Sequence, residues 1–301
     1  MTPRAVAWSD FVLHPSAFIL MSQFLHCGKF SLALSRPLIM GVVNVTPDSF
    51  SDGNCYLTVE QAVAHAASLI AEGADILDIG GESTRPGAAF VTLDEERRRV
   101  LPVLERLADC GVPVSVDTQK PELMSEAIAA GASMINDVNA LTVPGALEAV
   151  ADTPAAVCMM HKLGDPQTMQ QAPHYGDVVR EVRDYLVMRI DAAERAGIGR
   201  ERLVIDPGFG FGKALEHNLA LLRELAQIAA LGVPMLAGLS RKSMLGKITG
   251  REPGERVFAS IAAAVIAVEN GARIVRAHDV AATHDALAVW AAVKGSQSRY
   301  R

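Results

Sequence analysis

The sequence predicts a (β/α)8 TIM barrel preceded by a short β-hairpin, and three observations predict it. Short, nearly all-apolar runs alternate with amphipathic segments eight times within about 260 residues, and strands buried on both faces belong to parallel sheets covered by helices. Every run ends in polar residues rather than in a plain turn. No dinucleotide fingerprint follows the first run, which weighs against the alternative, an open doubly wound sheet.

The elements follow in order. Residues 24–34, "FLHCGKFSLAL", read as a hairpin closing the barrel floor. Leu38-Ile39-Met40-Gly41-Val42-Val43 is the first barrel strand, and it runs into the polar loop "NVTPDSFSDG". Apolar spacing predicts a helix over 59–72, and "ADILDIGGESTRPGA" then reads as a strand and a polar loop. A helix over 94–108 precedes "VPVSVDT", and one over 121–130 precedes "ASMINDV". A short helix leads to "AAVCMMH", and a long one over 177–197 leads to "RLVIDPGFGFGK". Helix 214–230 precedes "VPMLAGLSRKS", with "LSRKS" opening a helix of its own. Helix 256–270 precedes "ARIVRAHDV", and a last helix covers 280–293. "GFGFGK" has the wrong glycine spacing for a dinucleotide site, and Ala214 stands where a Walker loop needs Ser or Thr.

Composition narrows the function classes. A 301-residue chain that is 50% apolar has material for one large core or two smaller ones. A net charge of −6 argues against a general nucleic-acid binder. Cys27, Cys55, Cys110 and Cys158 are scattered without a CxxC pair, so neither a disulfide framework nor a zinc site is expected, and a cytoplasmic location is. No apolar run reaches membrane-spanning length. Residues 1–20 lack the charged–apolar–cleavage order of a signal peptide and read as an N-terminal extension, disordered or an over-long start, since Met21 opens the next segment. Residues 21–301 are expected to form one barrel domain, with a frayed tail.

Chemistry in such barrels gathers at the C-terminal ends of the strands. Any one Asp or Asn there has a plain reading as a helix cap or turn former, but eight polar ends converge on one mouth. Asp117, Asn136, Asp206 and Lys242 suit a flat heterocycle with N–H donors and ring acceptors, and Met160 and Phe211 would offer apolar faces to it. Asn44, Thr84, Arg85, Arg276 and His278 are anion-binding groups, with Asn44 a hard oxygen suited to Mg²⁺. The helix start at "LSRKS" would take a carboxylate. The mouth therefore reads as built for a ring, a phosphate chain with magnesium, and a carboxylate.

"GVVNVTPDSFSDG", "GGESTRPGA", "SVDT", "INDV", "IDPGFGFGK", "SRKSMLG" and "RAHDV", in this order over about 24–293, resemble the dihydropteroate synthase family. The resemblance implies a barrel, usually homodimeric, that joins 6-hydroxymethyl-7,8-dihydropterin diphosphate to 4-aminobenzoate. The products are dihydropteroate and diphosphate, in folate synthesis. It implies Asn44 as the Mg²⁺ ligand and Asp117, Asn136, Asp206 and Lys242 around the pterin, with Met160 and Phe211 on its faces. Thr84, Arg85, Arg276 and His278 would serve the diphosphate, and Ser243 the aminobenzoate carboxylate. Thr46, Pro47, Phe50, Arg85 and Pro86 would complete the aminobenzoate site, and Asp52, Arg276, His278 and Lys242 would act in catalysis. Pro47 and Gly53 would shape a first loop that closes over the diphosphate and keeps water from a pterin cation.

The sequence departs from the family pattern at Asn54, at Gln119 where serine often follows "VDT", and at "MHKLG", none of which carries an expected site role. Three rival readings remain. A Schiff-base aldolase would use Lys242, but Arg241 beside it fits an anion site better. A pterin-dependent methyltransferase barrel would have little use for magnesium or the "SRKS" site. A non-catalytic pterin-binding protein would be expected to lack Asn44, Lys242 or Arg276, and all three are present.

Overall fold

The computed structural model describes residues 23–45, 59–83, 90–164, 169 and 173–295. Strands β1 (Phe24–Cys27) and β2 (Phe30–Ala33) form an antiparallel hairpin. The barrel strands are β3 (Leu38–Asn44), β4 (Ile76–Gly80), β5 (Val114–Asp117), β6 (Met134–Asp137), β7 (Ala156–Met160), β8 (Leu203–Asp206), β9 (Leu236–Ala237) and β10 (Ile274–Ala277). All neighbours are parallel, in the order β8-β7-β6-β5-β4-β3-β10-β9. One isolated parallel bridge, Ile205 to Met235, joins β8 to β9 and closes the ring. The expected barrel is present.

The outer layer contains α1 (Val59–Ala71), α2 (Leu93–Leu107), α3 (Pro121–Ala129), α4 (Ala146–Ala151) and α5 (Val178–Arg195). It continues with α6 (Leu215–Arg223), α7 (Ala226–Ala229), α8 (Ser243–Thr249), α9 (Val257–Glu269) and α10 (Val280–Val293). Local chemistry sets the starts: the Thr92 hydroxyl accepts from Glu95 N–H at 3.3 Å, Asp177 accepts from Arg180 N–H at 3.1 Å, and Pro121 opens α3. The one helix expected over 214–230 is two. The chain breaks at Glu224 and re-aims so that both Leu225 and Ile228 are fully buried. None of the described helices is long and apolar enough to cross a membrane.

Strand alternation divides the core into two shells. Ile39, Val43, Ile79, Val116 and Ile135 face the helices. Met40, Ile76, Met134, Cys158, Val204 and Ile274 fill the barrel interior, where Leu25, Cys27 and Leu34 join them. The hairpin is therefore the barrel's floor, as its position before the first strand implied. Each fully buried large aliphatic side chain contributes roughly 1.5–3 kcal/mol. With one end sealed by apolar packing, the polar inward positions are left at the other.

Candidate active site

The same parity explains which side chains reach that open end. Asn44, Asn136, Met160, Asp206 and Arg276 each stand two residues, or a multiple of two, along the strand from an interior core residue, and Asp117 stands two residues beyond buried Ser115. They line a single cavity of about 490 Å³ together with Phe211, Lys242, Ser243 and His278. Every expected site residue that lies among the described residues is thus on this cavity. Thr46, Pro47, Phe50, Asp52, Thr84, Arg85 and Pro86, and the loop roles expected of Pro47 and Gly53, fall outside the described residues.

The ring set and the anion set are not separate, however. Arg276 donates from Nε to Asp78 Oδ2 at 2.6 Å and from Nη2 to Asp117 Oδ2 at 3.4 Å. Asn136 Nδ2 donates to the same Asp78 oxygen at 3.2 Å. Asp78 was not among the expected site residues. It is fully buried in β4, and its Oδ1 has no hydrogen-bond partner among the described residues. A carboxylate at an inward position of an otherwise apolar strand was the available signal, because such a charge needs a buried partner. Burial first, and then the Asp78 charge, raise the Asp117 carboxyl to about 8, against the pull of Arg276. Burial also raises Asp206, offset by the Gly208 N–H, which donates to its Oδ1 at 2.7 Å, and by Lys242. The Arg276 guanidinium is raised: burial opposes the charge, but Asp78 and Asp117 outweigh it.

The opposite wall comes from two turns. In "DPGFGFGK", Gly208, Gly210 and Gly212 all have positive φ. A Cβ on Gly208 would stand 1.8 Å from His161 O, and one on Gly212 would stand 2.2 Å from Leu163 O, so backbone lies against backbone there. The turn carries Phe211 to the cavity, with the Lys242 ammonium 4.1 Å from its ring centroid. In the second turn, the Ser240 hydroxyl accepts from His278 N–H at 3.1 Å and lies 3.0 Å from its Nδ1. Arg241, at φ +58°, donates to both carboxylate oxygens of Asp279 at 3.1 and 2.6 Å. These contacts tie the "SRKS" turn to the end of β10.

Glu82, also on the cavity, accepts from Val91 N–H at 3.0 Å and from Lys120 at 2.7 Å. Lys120 also pairs with fully buried Glu96. Gln119, one of the departures from the family pattern, links Glu82 Oε2 at 3.4 Å to Asn139 at 2.7 Å. Its amide therefore serves a structural bridge. Among the described residues no three His, Cys, Asp or Glu side chains converge as a metal site. Asn44, half-buried at the rim of a cavity shared with Arg276 and His278, offers one hard oxygen. That donor set fits an ion delivered with a phosphate chain, whose other ligands are phosphate oxygens and water.

The family model for pterin binding enzymes matches residues 40–278. The chain is 50% identical over 272 residues to dihydropteroate synthase from Escherichia coli K12, covering 90% of this chain and 96% of that one. The Xanthomonas albilineans dihydropteroate synthase structure with 4-aminobenzoic acid superposes with a TM-score of 0.86 at 58% identity, covering 90% of this chain and 98% of that one. The Burkholderia cenocepacia enzyme complexed with 7,8-dihydropteroate gives 0.83 at 53% identity, covering 91% and 97%.

Proposed function

Because the chain belongs to the pterin-binding enzymes, and within them to the dihydropteroate synthases, we propose that this cavity divides the labour of that reaction among the residues described above. The activity is transfer of a pterin-methyl group: 6-hydroxymethyl-7,8-dihydropterin diphosphate and 4-aminobenzoate give 7,8-dihydropteroate and diphosphate in folate synthesis. Asp117 and Asp206 accept from ring and amino N–H groups of the pterin, while Asn136 and Lys242 meet its remaining polar edge. Met160 and Phe211 cover its faces. Arg276 and His278 hold the diphosphate, and Ser243 takes the aminobenzoate carboxylate. Thr84 and Arg85, with Thr46, Pro47, Phe50 and Pro86, are assigned to the diphosphate and aminobenzoate sites on their motifs alone.

The bond from the exocyclic methylene to diphosphate oxygen breaks first, leaving a carbocation that the pterin ring delocalises. Arg276 and His278 stabilise the departing negative charge. Asp52 is assigned to the positive carbon by its motif alone. The amine nitrogen of 4-aminobenzoate then bonds to that carbon and gives up one proton. A magnesium ion bound with the diphosphate, held on the protein side by Asn44, would supply further neutralisation of the leaving group.

The observation that carries these assignments is convergence: every expected residue within the described residues lines one cavity. Binding order tests them. 4-Aminobenzoate titrated by calorimetry is expected to bind poorly to the free enzyme, and more tightly with Mg²⁺-diphosphate by a coupling of ~1–3 kcal/mol. Equal affinities in the two titrations would sink the assembled second site. We further assign residues 21–301 to one barrel domain in the cytoplasm, and a homodimer formed through α9 and α10. Phe258, Val289 and Val293 on those helices are 82%, 66% and 79% exposed. Sedimentation of a Phe258→Glu variant as a monomer, against a wild-type dimer, checks that surface.

A further inference from the structure

Lys213 is 2% exposed, and its charge has no role in the division of labour proposed above. Its ammonium donates to the carbonyl oxygens of Gly208 at 2.9 Å, Phe211 at 3.1 Å and His161 at 3.4 Å, and lies 3.0 Å from His161 Nδ1. His161 itself donates its backbone N–H to Asp206 O at 2.9 Å. Burial first, and then the neighbouring Lys213 charge, lower the imidazole to about 3, so His161 is neutral and its Nδ1 accepts from Lys213. Burial draws the Lys213 amine itself down to about 7, against the pull of Asp206, so the turn from Asp206 to Lys213 is wrapped around the amine of its own last residue, an ammonium below about pH 7.

Other contacts brace the same turn. Asn218 Oδ1 accepts from Gly210 N–H at 2.7 Å, and the Tyr175 hydroxyl donates to Gly212 O at 2.9 Å. Neither bond is to Phe211 or to Asp206, the turn's two residues assigned to the pterin. Lys213 acts on both. It holds the carbonyl of Phe211, whose ring lies under Lys242, and the carbonyl of Gly208, whose N–H pairs with Asp206. We infer that Lys213 is a positioning residue for the ring-binding half of the site, setting the Phe211 face and the Asp206 carboxylate together and leaving the diphosphate half to other contacts. This rests on the assignment of Asp206 and Phe211 to the pterin.

The test uses the full chain and two ligands, a pterin analogue and inorganic diphosphate with Mg²⁺, titrated by calorimetry at about pH 6, where the Lys213 amine is protonated. Lys213→Met keeps the stem and removes the charge. The expected result is a pterin affinity weaker by roughly ten- to a hundredfold, the loss of charge-assisted hydrogen bonding, with diphosphate affinity unchanged. A purely structural lysine would lower the melting temperature without that split. Combining Lys213→Met with Phe211→Leu should cost less than the sum of the two, because they act through one contact. Lys213→Arg, which keeps the charge but not the fit of an ammonium among three carbonyls, carries the same comparison if the methionine variant does not fold. Unchanged pterin affinity in a folded variant, or equal loss for both ligands, overturns the inference. Failure of the wild-type chain to bind the pterin analogue would instead strike the underlying site assignment.

Discussion

Replacing Asp78 by asparagine removes one negative charge from beneath the cavity and changes almost no volume. The amide oxygen can still accept from Arg276 and Asn136, and its NH₂ takes the position of the Oδ1 that now has no partner among the described residues. The fold should therefore survive. Arg276, at 2.6 Å from Asp78, loses a counter-ion in a setting where a pair about 4 Å apart is worth roughly 4 kcal/mol at an effective dielectric of about 20. Asp117 returns part of this. Relieved of its like-charged neighbour, it ionises more readily and draws the guanidinium from its present 3.4 Å. The net loss of stability should be about 1–3 kcal/mol, below the roughly 3–5 kcal/mol of a broken buried pair. The guanidinium then faces Asp117 rather than the leaving group, and diphosphate affinity should fall about tenfold, or ~1.4 kcal/mol. Denaturant melts and calorimetry with Mg²⁺-diphosphate read both quantities. A variant of wild-type diphosphate affinity would refute the orienting role of Asp78, and one that does not fold would refute the compensation by Asp117.

Three further outcomes follow from the geometry. The Asp117 carboxyl is raised from its ordinary 3.8 to about 8, so between about pH 4 and pH 8 the folded chain keeps a proton that the unfolded chain has lost. Its contribution to stability is present below that window and declines as pH rises through it, less steeply in Asp78→Asn. Because ring N–H groups need a carboxylate acceptor, pterin binding at pH 7 should release protons; calorimetry in two buffers of different ionisation enthalpy measures this, and zero release contradicts it. Gly208→Ala should cost roughly 3 kcal/mol or more, since its Cβ would meet His161 O at 1.8 Å with φ at +69°. Gly210→Ala, whose nearest neighbour is a flexible lysine carbon at 3.4 Å, should cost only about 1–2 kcal/mol; similar melting temperatures for the two would discredit the close-approach account.

Most of the barrel was legible because its strands are buried on both faces and so read as apolar runs. The helix ends at 59, 121 and 293 agree with the apolar spacing and Pro121. Glu224 carries no glycine or proline, so the break after α6 had no local signal; the burial of Leu225 and Ile228 decides it. At the site, strand-end polarity identified the residues but not their partners. Asp78 and Arg276 are 198 residues apart in sequence, and only the pairing of β3 with both β4 and β10 brings them to one hydrogen bond. "GFGFGK" lacks phosphate-loop spacing, and the amine of Lys213 belongs instead to its own turn's carbonyls, a contact that depends on three left-handed glycines and so has no linear signal.

The seam between β8 and β9 gives the barrel one weak link. Strand β9 has two residues, and a lone bridge from Ile205 to Met235 joins it to β8. Asp206 stands on one side of this seam and Lys242 beyond the other, and both reach the same cavity. A molecule that touches both is a clasp across the joint. Occupancy and ring integrity are then coupled by mass action: with the cavity filled, the hoop resists opening at its thinnest point, and loosening that point drains affinity from a site whose contacts are all still in place.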